Sequence, residues 1–255
     1  MASRKEEKEQ RKRERLEAEE AAAAEDRRKK LFAGIGVAAL AAVVVVVALV
    51  VVSQSGDDGG GGDPSSLSGV SEIEAEVGGL PQSGKIIGDA DAKVTVREFG
   101  DLQCPACAQF SETVIPDLLA GPIAAGDANL EFNNFVIIGP DSDTAARAAL
   151  AASEQDRYWQ FVELFYRNQG AENGGFVTDD FLTSVAEGAG VPDIDAWEES
   201  RNDAKWDERL ADTQTEANTF GLTSTPSIVV EGPGGSEVVA SNSVDEIESA
   251  IDSVS

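Results

Sequence analysis

Histidine is absent from this chain of 255 residues, and cysteine occurs only twice. Without histidine the chain lacks the side chain that ordinarily titrates near neutral pH, so histidine acid–base catalysis is excluded. Zinc sites usually take four cysteine or histidine ligands, which one copy of this chain does not supply. We therefore expect no metal site within a single chain.

Basic residues are scarce after residue 30. The chain has 20 Lys and Arg against 47 Asp and Glu, a formal net charge of -27. Residues 1–30 carry a net charge of +2, so the remainder carries -29. Such an acidic surface repels phosphate, which excludes nucleic acid as a partner. The acidity fits either a saline habitat or a need for solubility.

Charged and strongly polar side chains are missing from the 22 residues of Leu31–Val52. As a helix rising about 1.5 Å per residue, this run spans roughly 33 Å, close to the thickness of a bilayer core. Basic residues at Arg27–Lys30 precede it and acidic residues follow it, so the positive-inside rule places residues 1–30 in the cytoplasm. A cleaved signal peptide is the rival interpretation, but the run and its charged leader are too long for one. We predict an uncleaved single-pass anchor in the cell membrane.

The anchor divides the chain into four segments. Residues 1–30 are predicted to form a charged cytoplasmic tail and residues 31–52 the transmembrane helix. Residues 53–82 are rich in Gly, Asp and Ser and are predicted to form a flexible linker. The folded domain is expected at residues 83–255, outside the cytoplasm.

The two cysteines stand two residues apart in Cys104-Pro105-Ala106-Cys107. The apolar run before them predicts a buried strand, Val94–Phe99, and the residues after them predict a helix. Unpaired N–H groups at a helix start favour a thiolate, so Cys104 is the predicted nucleophile and Cys107 the resolving thiol. A purely structural disulfide is the alternative, but so short a loop removes little chain entropy.

The rest of the domain alternates strand and helix patterns. A helix with Pro116 inside it is expected to kink near Ser111, and Leu130–Ile138 predicts a second buried strand parallel to the first. Residues 141–221 have a helical pattern, and two short strands and a closing helix follow. The prediction is an α/β fold with a sheet of about four strands and a helical insertion.

This pattern resembles the DsbA-like group of thioredoxin-fold proteins over about residues 83–253. Val96–Cys107 resembles the strand and active-site segment of the group, and Ala145–Phe165 resembles its helical insert. Gly221–Ser227, with Thr225-Pro226 inside it, resembles the loop that carries a cis-proline in the group. The resemblance implies a thioredoxin fold with a helical insertion, preceded here by the transmembrane helix.

The resemblance also implies site residues. Pro226 should be cis and close to Cys104, with the Thr225 backbone free to pair with an extended substrate segment. The dipeptide Pro105-Ala106 between the cysteines should also contact substrate.

Glu98 occupies the position where the group often has a buried carboxylate beneath the disulfide, able to exchange a proton with Cys107. Asp101 is a second candidate for that role. Ala106 is a departure, because DsbA itself has histidine there.

The resemblance implies an enzyme, a membrane-tethered thiol–disulfide oxidoreductase that needs no cofactor. We expect it to form disulfides in exported cysteine-containing proteins through Cys104 and Cys107, and to be reoxidised by a quinone-linked membrane partner. One alternative is a reductase or isomerase fed by a membrane electron donor. Another is a non-catalytic tethered binding or chaperone module on the same fold.

Overall fold

The computed structural model describes residues 67–240 and 242–255. The strands in chain order are β1 (Gln82–Ser83), β2 (Ile86–Ile87), β3 (Thr95–Gly100), β4 (Asn129–Asn134), β5 (Ser227–Gly232) and β6 (Gly235–Val238). The α-helices in chain order are α1 (Val70–Val77), α2 (Pro105–Thr113), α3 (Ile115–Leu118), α4 (Pro140–Ser153), α5 (Tyr158–Arg167), α6 (Asp179–Gly188), α7 (Ile194–Arg201), α8 (Lys205–Thr219) and α9 (Val244–Val254), and a short π-helix (Leu119–Ile123) follows α3. The predicted α/β fold with a helical insertion between β4 and β5 is confirmed.

The strands of the described part form one sheet in the order β1-β2-β4-β3-β5-β6. The central strands β3 and β4 are parallel, as the sequence predicted, and the other neighbours are antiparallel. The sheet has six strands instead of about four, because β1 and β2 add two residues each at one edge. In the register, Glu98 lies between Phe132 of β4 and Ile228 of β5, at the centre of the sheet.

Strand β4 is shorter than the predicted Leu130–Ile138 and ends at Asn134. The apolar run continues to Ile138, but the backbone N–H groups of Ile137 and Ile138 donate to the Asp101 carboxylate, at 2.9 and 3.0 Å. Those donors are therefore unavailable to a neighbouring strand, and the chain turns away from the sheet.

Helix α2 begins at Pro105 and ends at Thr113, and the chain restarts as α3 at Ile115. Pro116 therefore lies in the first turn of α3, where its missing N–H is tolerated. The kink predicted near Ser111 was wrong, because the chain breaks the helix at Val114 instead of bending around the proline.

Helix α5 joins the helical insertion to the sheet. Its residues from Tyr158 to Tyr166 are all buried. Rings of Tyr158, Trp159 and Tyr166 surround Phe132 of β4, with ring centroids 6.0 to 6.4 Å apart. Aromatic pairs in this range add to the stability gained by burial, so α5 and β4 form one apolar core.

Residues 70–82, at the C-terminal end of the segment predicted as a linker, belong to the folded domain, where they form α1 and the start of β1. Ile73 and Val77 lie one turn apart on α1 and are buried in the main core. Helix α1 packs on α5, and this burial stabilises a helix too short to persist alone. Residues 53–66 of that linker, the tail and the Leu31–Val52 anchor lie outside the described residues. Among residues 67–240 and 242–255, none of the helices is long and apolar enough to cross a membrane.

If α1 is part of the domain, Ile73→Ala must destabilise it. The Ile73 side chain is 2% exposed, and truncation of a buried isoleucine costs about 2–4 kcal/mol. Urea unfolding followed by circular dichroism measures the loss. Glu72→Ala, at an exposed position of the same helix, should change stability by less than about 0.5 kcal/mol. Equal effects of the two variants would show that α1 does not pack on the core.

Candidate active site

The two cysteines lie at the N-terminus of α2. Pro105 is the first residue of the helix, where its missing N–H is not needed. Cys104 is therefore the N-cap residue, and Cys107 lies within the first turn. The Cys104 side chain is 7% exposed and Cys107 is fully buried, and both are free thiols. Cys104 is therefore the more exposed of the two thiols.

Hydrogen bonding separates the acidities of the two thiols. The pKa of Cys104 falls to about 6, chiefly because the Cys107 thiol donates a hydrogen bond to its sulfur. The backbone N–H groups of Ala106 and Cys107 lower this pKa further, whereas burial raises it. Burial raises the pKa of Cys107 well above its usual value, and donation to Cys104 and the charge of Glu98 raise it further. At neutral pH the pair is one thiolate and one thiol.

The loop before β5 closes over Cys104. The Thr225–Pro226 peptide bond is cis, as the resemblance implied, and Pro226 is buried. The Cys104 Sγ atom lies 3.4 Å from the Thr225 carbonyl oxygen. Among the described residues, the Thr225 N–H has no backbone hydrogen-bond partner. Pro105 and Ala106 are exposed beside this loop.

Glu98 lies on the central strand beneath the cysteine pair. Its carboxyl group is 1% exposed, and Oε1 has no hydrogen-bond partner among the described residues. Burial raises the pKa of Glu98 well above its usual value, and the charges of Glu163 and Cys104 add to the shift. Burial and these charges therefore favour the protonated form of the carboxyl group.

The sequence of the chain is similar to those of known proteins. A family model described as thioredoxin matches residues 82–253. The chain belongs to this thioredoxin family. A probable disulfide bond formation protein D from Bacillus cereus is 32% identical over 169 residues, covering 65% of this chain and 76% of that protein.

Solved structures agree with the assignment. Oxidised BdbD from Bacillus subtilis matches with a TM-score of 0.60 and 25% identity, covering 68% of this chain and 94% of that one. Pseudomonas aeruginosa DsbA2, at 24% identity and a TM-score of 0.55, shares the fold over 69% of this chain and 96% of its own. The protein is a protein disulfide oxidoreductase of the DsbA-like group.

Both side-chain oxygens of Asp101, the second candidate for the proton-exchange role, accept backbone hydrogen bonds. Its Oδ1 accepts from the backbone N–H of Gln103, and its Oδ2 accepts from the N–H groups of Ile137 and Ile138. These three hydrogen bonds tie the Asp101 side chain to the backbone, so Asp101 fixes the loop that leads to Cys104. Glu98 differs from it, because its Oε1 has no hydrogen-bond partner among the described residues.

The helical insertion holds the active-site loop through residues that the sequence did not single out. Gln169 donates to the carbonyl oxygens of Leu102 and Cys104, at 2.7 and 3.2 Å. The Tyr166 hydroxyl donates to the Asp101 carbonyl at 3.2 Å. These hydrogen bonds join residues at least 65 positions apart, so no local pattern in the sequence predicts them.

If the Cys107 thiol stabilises the Cys104 thiolate, Cys107→Ala should raise the Cys104 pKa. A hydrogen bond to a charged group contributes about 1.5–3 kcal/mol, so the pKa should rise by roughly one to two units. The pH dependence of iodoacetamide alkylation measures it, because Cys104 is then the only thiol. Gln109→Ala, exposed on the same helix, is the control and should leave the pKa near 6. An unchanged pKa in Cys107→Ala would contradict the assignment.

Proposed function

We propose that Cys104 and Cys107 form the disulfide that this enzyme donates to exported proteins. The observation that carries the proposal is the acidity of Cys104, whose pKa of about 6 stabilises the dithiol form as a thiolate. A disulfide whose reduced form is stabilised is a better oxidant, because its reduction is favoured. A more acidic thiol is also a better leaving group in exchange.

The proposed reaction has two exchanges. A substrate thiolate attacks Cys104, the Cys104–Cys107 bond breaks, and Cys107 leaves and takes up a proton. A second substrate thiolate then attacks the substrate sulfur of the mixed disulfide and releases Cys104 as a thiolate. The substrate loses two electrons to the enzyme disulfide, and a quinone-linked membrane partner would reoxidise the enzyme.

Glu98 is the proposed proton donor to Cys107. Its carboxyl group is buried and its pKa is raised, which favours the protonated form. The charge of ionised Glu98 raises the pKa of Cys107, which supports an exchange of a proton between the two groups. Proton transfer from a positioned acid lowers the cost of forming an anion in an apolar site.

The Thr225 backbone is the proposed docking edge for substrate. Its N–H has no backbone partner among the described residues, and its carbonyl oxygen lies beside the Cys104 sulfur. An extended peptide pairing there would present its own thiol to Cys104, with Pro226, Pro105 and Ala106 forming the contact surface. Main-chain pairing carries no side-chain information, which suits an enzyme with many substrates.

One observation favours the opposite direction of electron flow. The Cys104 pKa of about 6 makes the thiol more acidic than an ordinary cysteine, as donation requires, but it is closer to the thioredoxin value of about 7 than to the DsbA value of about 3.5. Ala106 has no side-chain donor to stabilise the thiolate further. A reductase or isomerase kept reduced by a membrane donor is therefore the second candidate, and the reduction potential separates the two.

We further propose that Leu31–Val52 anchors the enzyme in the cell membrane, with residues 1–30 in the cytoplasm. The support is the uncharged run and the basic residues before it. Disulfides persist outside the cytoplasm, which agrees with that placement of the domain.

Cys107→Ser should trap the mixed disulfide. The variant keeps the Cys104 thiolate but lacks the resolving thiol, so Cys104 should attack the disulfide of an oxidised substrate, release one substrate thiol and stay joined to the other sulfur. Non-reducing electrophoresis and mass spectrometry after mixing with an oxidised-substrate library detect the mixed disulfides. Cys104→Ser should form none and should lose all ability to oxidise reduced ribonuclease. Oxidation at the wild-type rate by Cys104→Ser would support a non-catalytic chaperone and contradict the proposal.

Glu98→Gln should slow the exchange without abolishing it. The loss should be roughly 100-fold, at the low end for general acid catalysis. The wild-type rate should fall as pH rises through the raised Glu98 pKa, and the variant should lack that dependence. Stopped-flow tryptophan fluorescence measures both. Glu208→Gln, at an exposed position of α8, is the control, and an identical pH profile in Glu98→Gln and Glu208→Gln would exclude the proposed role.

A further inference from the structure

Side chains hold the loop between β3 and α2 in place. Residues 101–104 are all buried, and they belong to neither a helix nor a strand. The side chains of Asp101 and Gln169 hold the backbone of this loop. A further anchor is the side chain of Gln103, which is 0% exposed and directly precedes Cys104. The position of the Cys104 backbone therefore depends on where the Gln103 side chain is held.

Both ends of the Gln103 amide reach the helical insertion. The Nε2 group donates to the Ser142 hydroxyl at 3.0 Å, and the Oε1 atom accepts from the backbone N–H of Asn173 at 3.0 Å. Ser142 lies in the first turn of α4 and is 1% exposed. Asn173 lies in the segment between α5 and α6. Two separate parts of the insertion therefore fix one side chain beside the nucleophile.

The polar character of this buried side chain needs a physical reason. Burial of an amide costs free energy unless its hydrogen bonds are made, and the net gain from making them is small. What hydrogen bonds supply is direction, because they weaken steeply as the angle at the hydrogen departs from linear. The two hydrogen bonds of Gln103 therefore define one orientation of the loop, which an apolar side chain of similar length would not define.

The orientation of this loop determines how Cys104 faces the proposed docking edge. The Cys104 sulfur lies 3.4 Å from the carbonyl oxygen of Thr225, in the loop between α8 and β5. A substrate segment paired with the Thr225 backbone must present its thiol to this sulfur. Reacting atoms must approach within about 3–3.5 Å, and a misplacement of about 1 Å can lower a rate about 100-fold. A small dithiol needs no docking edge, so its reaction depends less on this geometry.

We propose that Gln103 is a positioning residue for docked substrates, through which the helical insertion sets the place of the Cys104 sulfur relative to the Thr225 backbone. Because Gln103 is buried, it acts through the backbone of Cys104 and not by contact with substrate. The exchange itself is the one proposed above, in which two electrons pass from the substrate to the Cys104–Cys107 disulfide. The inference rests on that proposed donation and on the docking edge at Thr225.

Gln103→Met should slow the reaction with a protein substrate more than the reaction with a small dithiol. Methionine has a similar length and lacks both hydrogen-bonding groups. The test measures two rates for the oxidised full chain, its reduction by reduced ribonuclease and its reduction by dithiothreitol. Acid quenching and alkylation, followed by mass spectrometry, count the thiols formed on the enzyme. The rate with ribonuclease should fall roughly 10- to 100-fold, whereas the rate with dithiothreitol should stay within about threefold of wild type.

Ser142→Ala supplies a second variant that keeps the glutamine. It removes the acceptor of one Gln103 hydrogen bond, so the ratio of the ribonuclease rate to the dithiothreitol rate should fall by a smaller factor, roughly threefold. Gln214→Met makes the same substitution at an exposed position of α8 and is the control, which should keep the wild-type ratio. A residue that only stabilised the fold would change both rates equally or neither, so the ratio separates the two roles.

Each outcome bears on a different claim. A wild-type ratio in Gln103→Met overturns this inference and leaves the thiol chemistry standing. If Gln103→Met does not fold, a wild-type ratio in Ser142→Ala overturns the inference in the same way. If dithiothreitol reduces the wild-type disulfide and reduced ribonuclease does not, donation to proteins is contradicted, and this inference is overturned with it.

Discussion

The hydrogen bond from the Cys107 thiol to Cys104 is the interaction on which the chemistry of this protein depends. It lowers the pKa of the outer thiol to about 6, while burial raises that of the inner thiol. The rest of the site maintains this difference. Pro105 starts the helix that brings backbone N–H groups to Cys104, and the central strand places the buried Glu98 carboxyl group beneath the pair. Cys104 is therefore the more acidic and more exposed thiol, and Cys107 is shielded.

The helical insertion does more than enlarge the core. Gln169 and Tyr166 hold the carbonyl groups of the loop that leads into Cys104, and Glu163 contacts the helix that follows it. The same helix, α5, surrounds Phe132 of the sheet with three aromatic rings. Movement of the insertion relative to the sheet would thus disturb both sides of the cysteine pair, which couples the stability of the domain to the geometry of its redox site.

The sequence predicted the features that depend on local patterns. Each of these features can be recognised within one segment of the chain. They are the Cys104–Cys107 spacing at a helix start, the apolar run of β3 and the helical character of residues 141–221, and the structure contains all three. The contact between Ser111 and Glu163 joins residues 52 positions apart and has no local signal. The end of β4 was missed for a related reason, because the Asp101 carboxylate takes backbone donors that the apolar pattern assigned to the sheet.

The reduction potential of the full chain tests the central claim most directly. Equilibration in graded glutathione buffers gives its value, with Cys104→Ser as the control that should show no transition. A disulfide donor should have a potential well above that of thioredoxin, toward the DsbA value of about -120 mV. A potential near the thioredoxin value of about -270 mV would contradict donation and identify a reductase that draws electrons from a membrane partner.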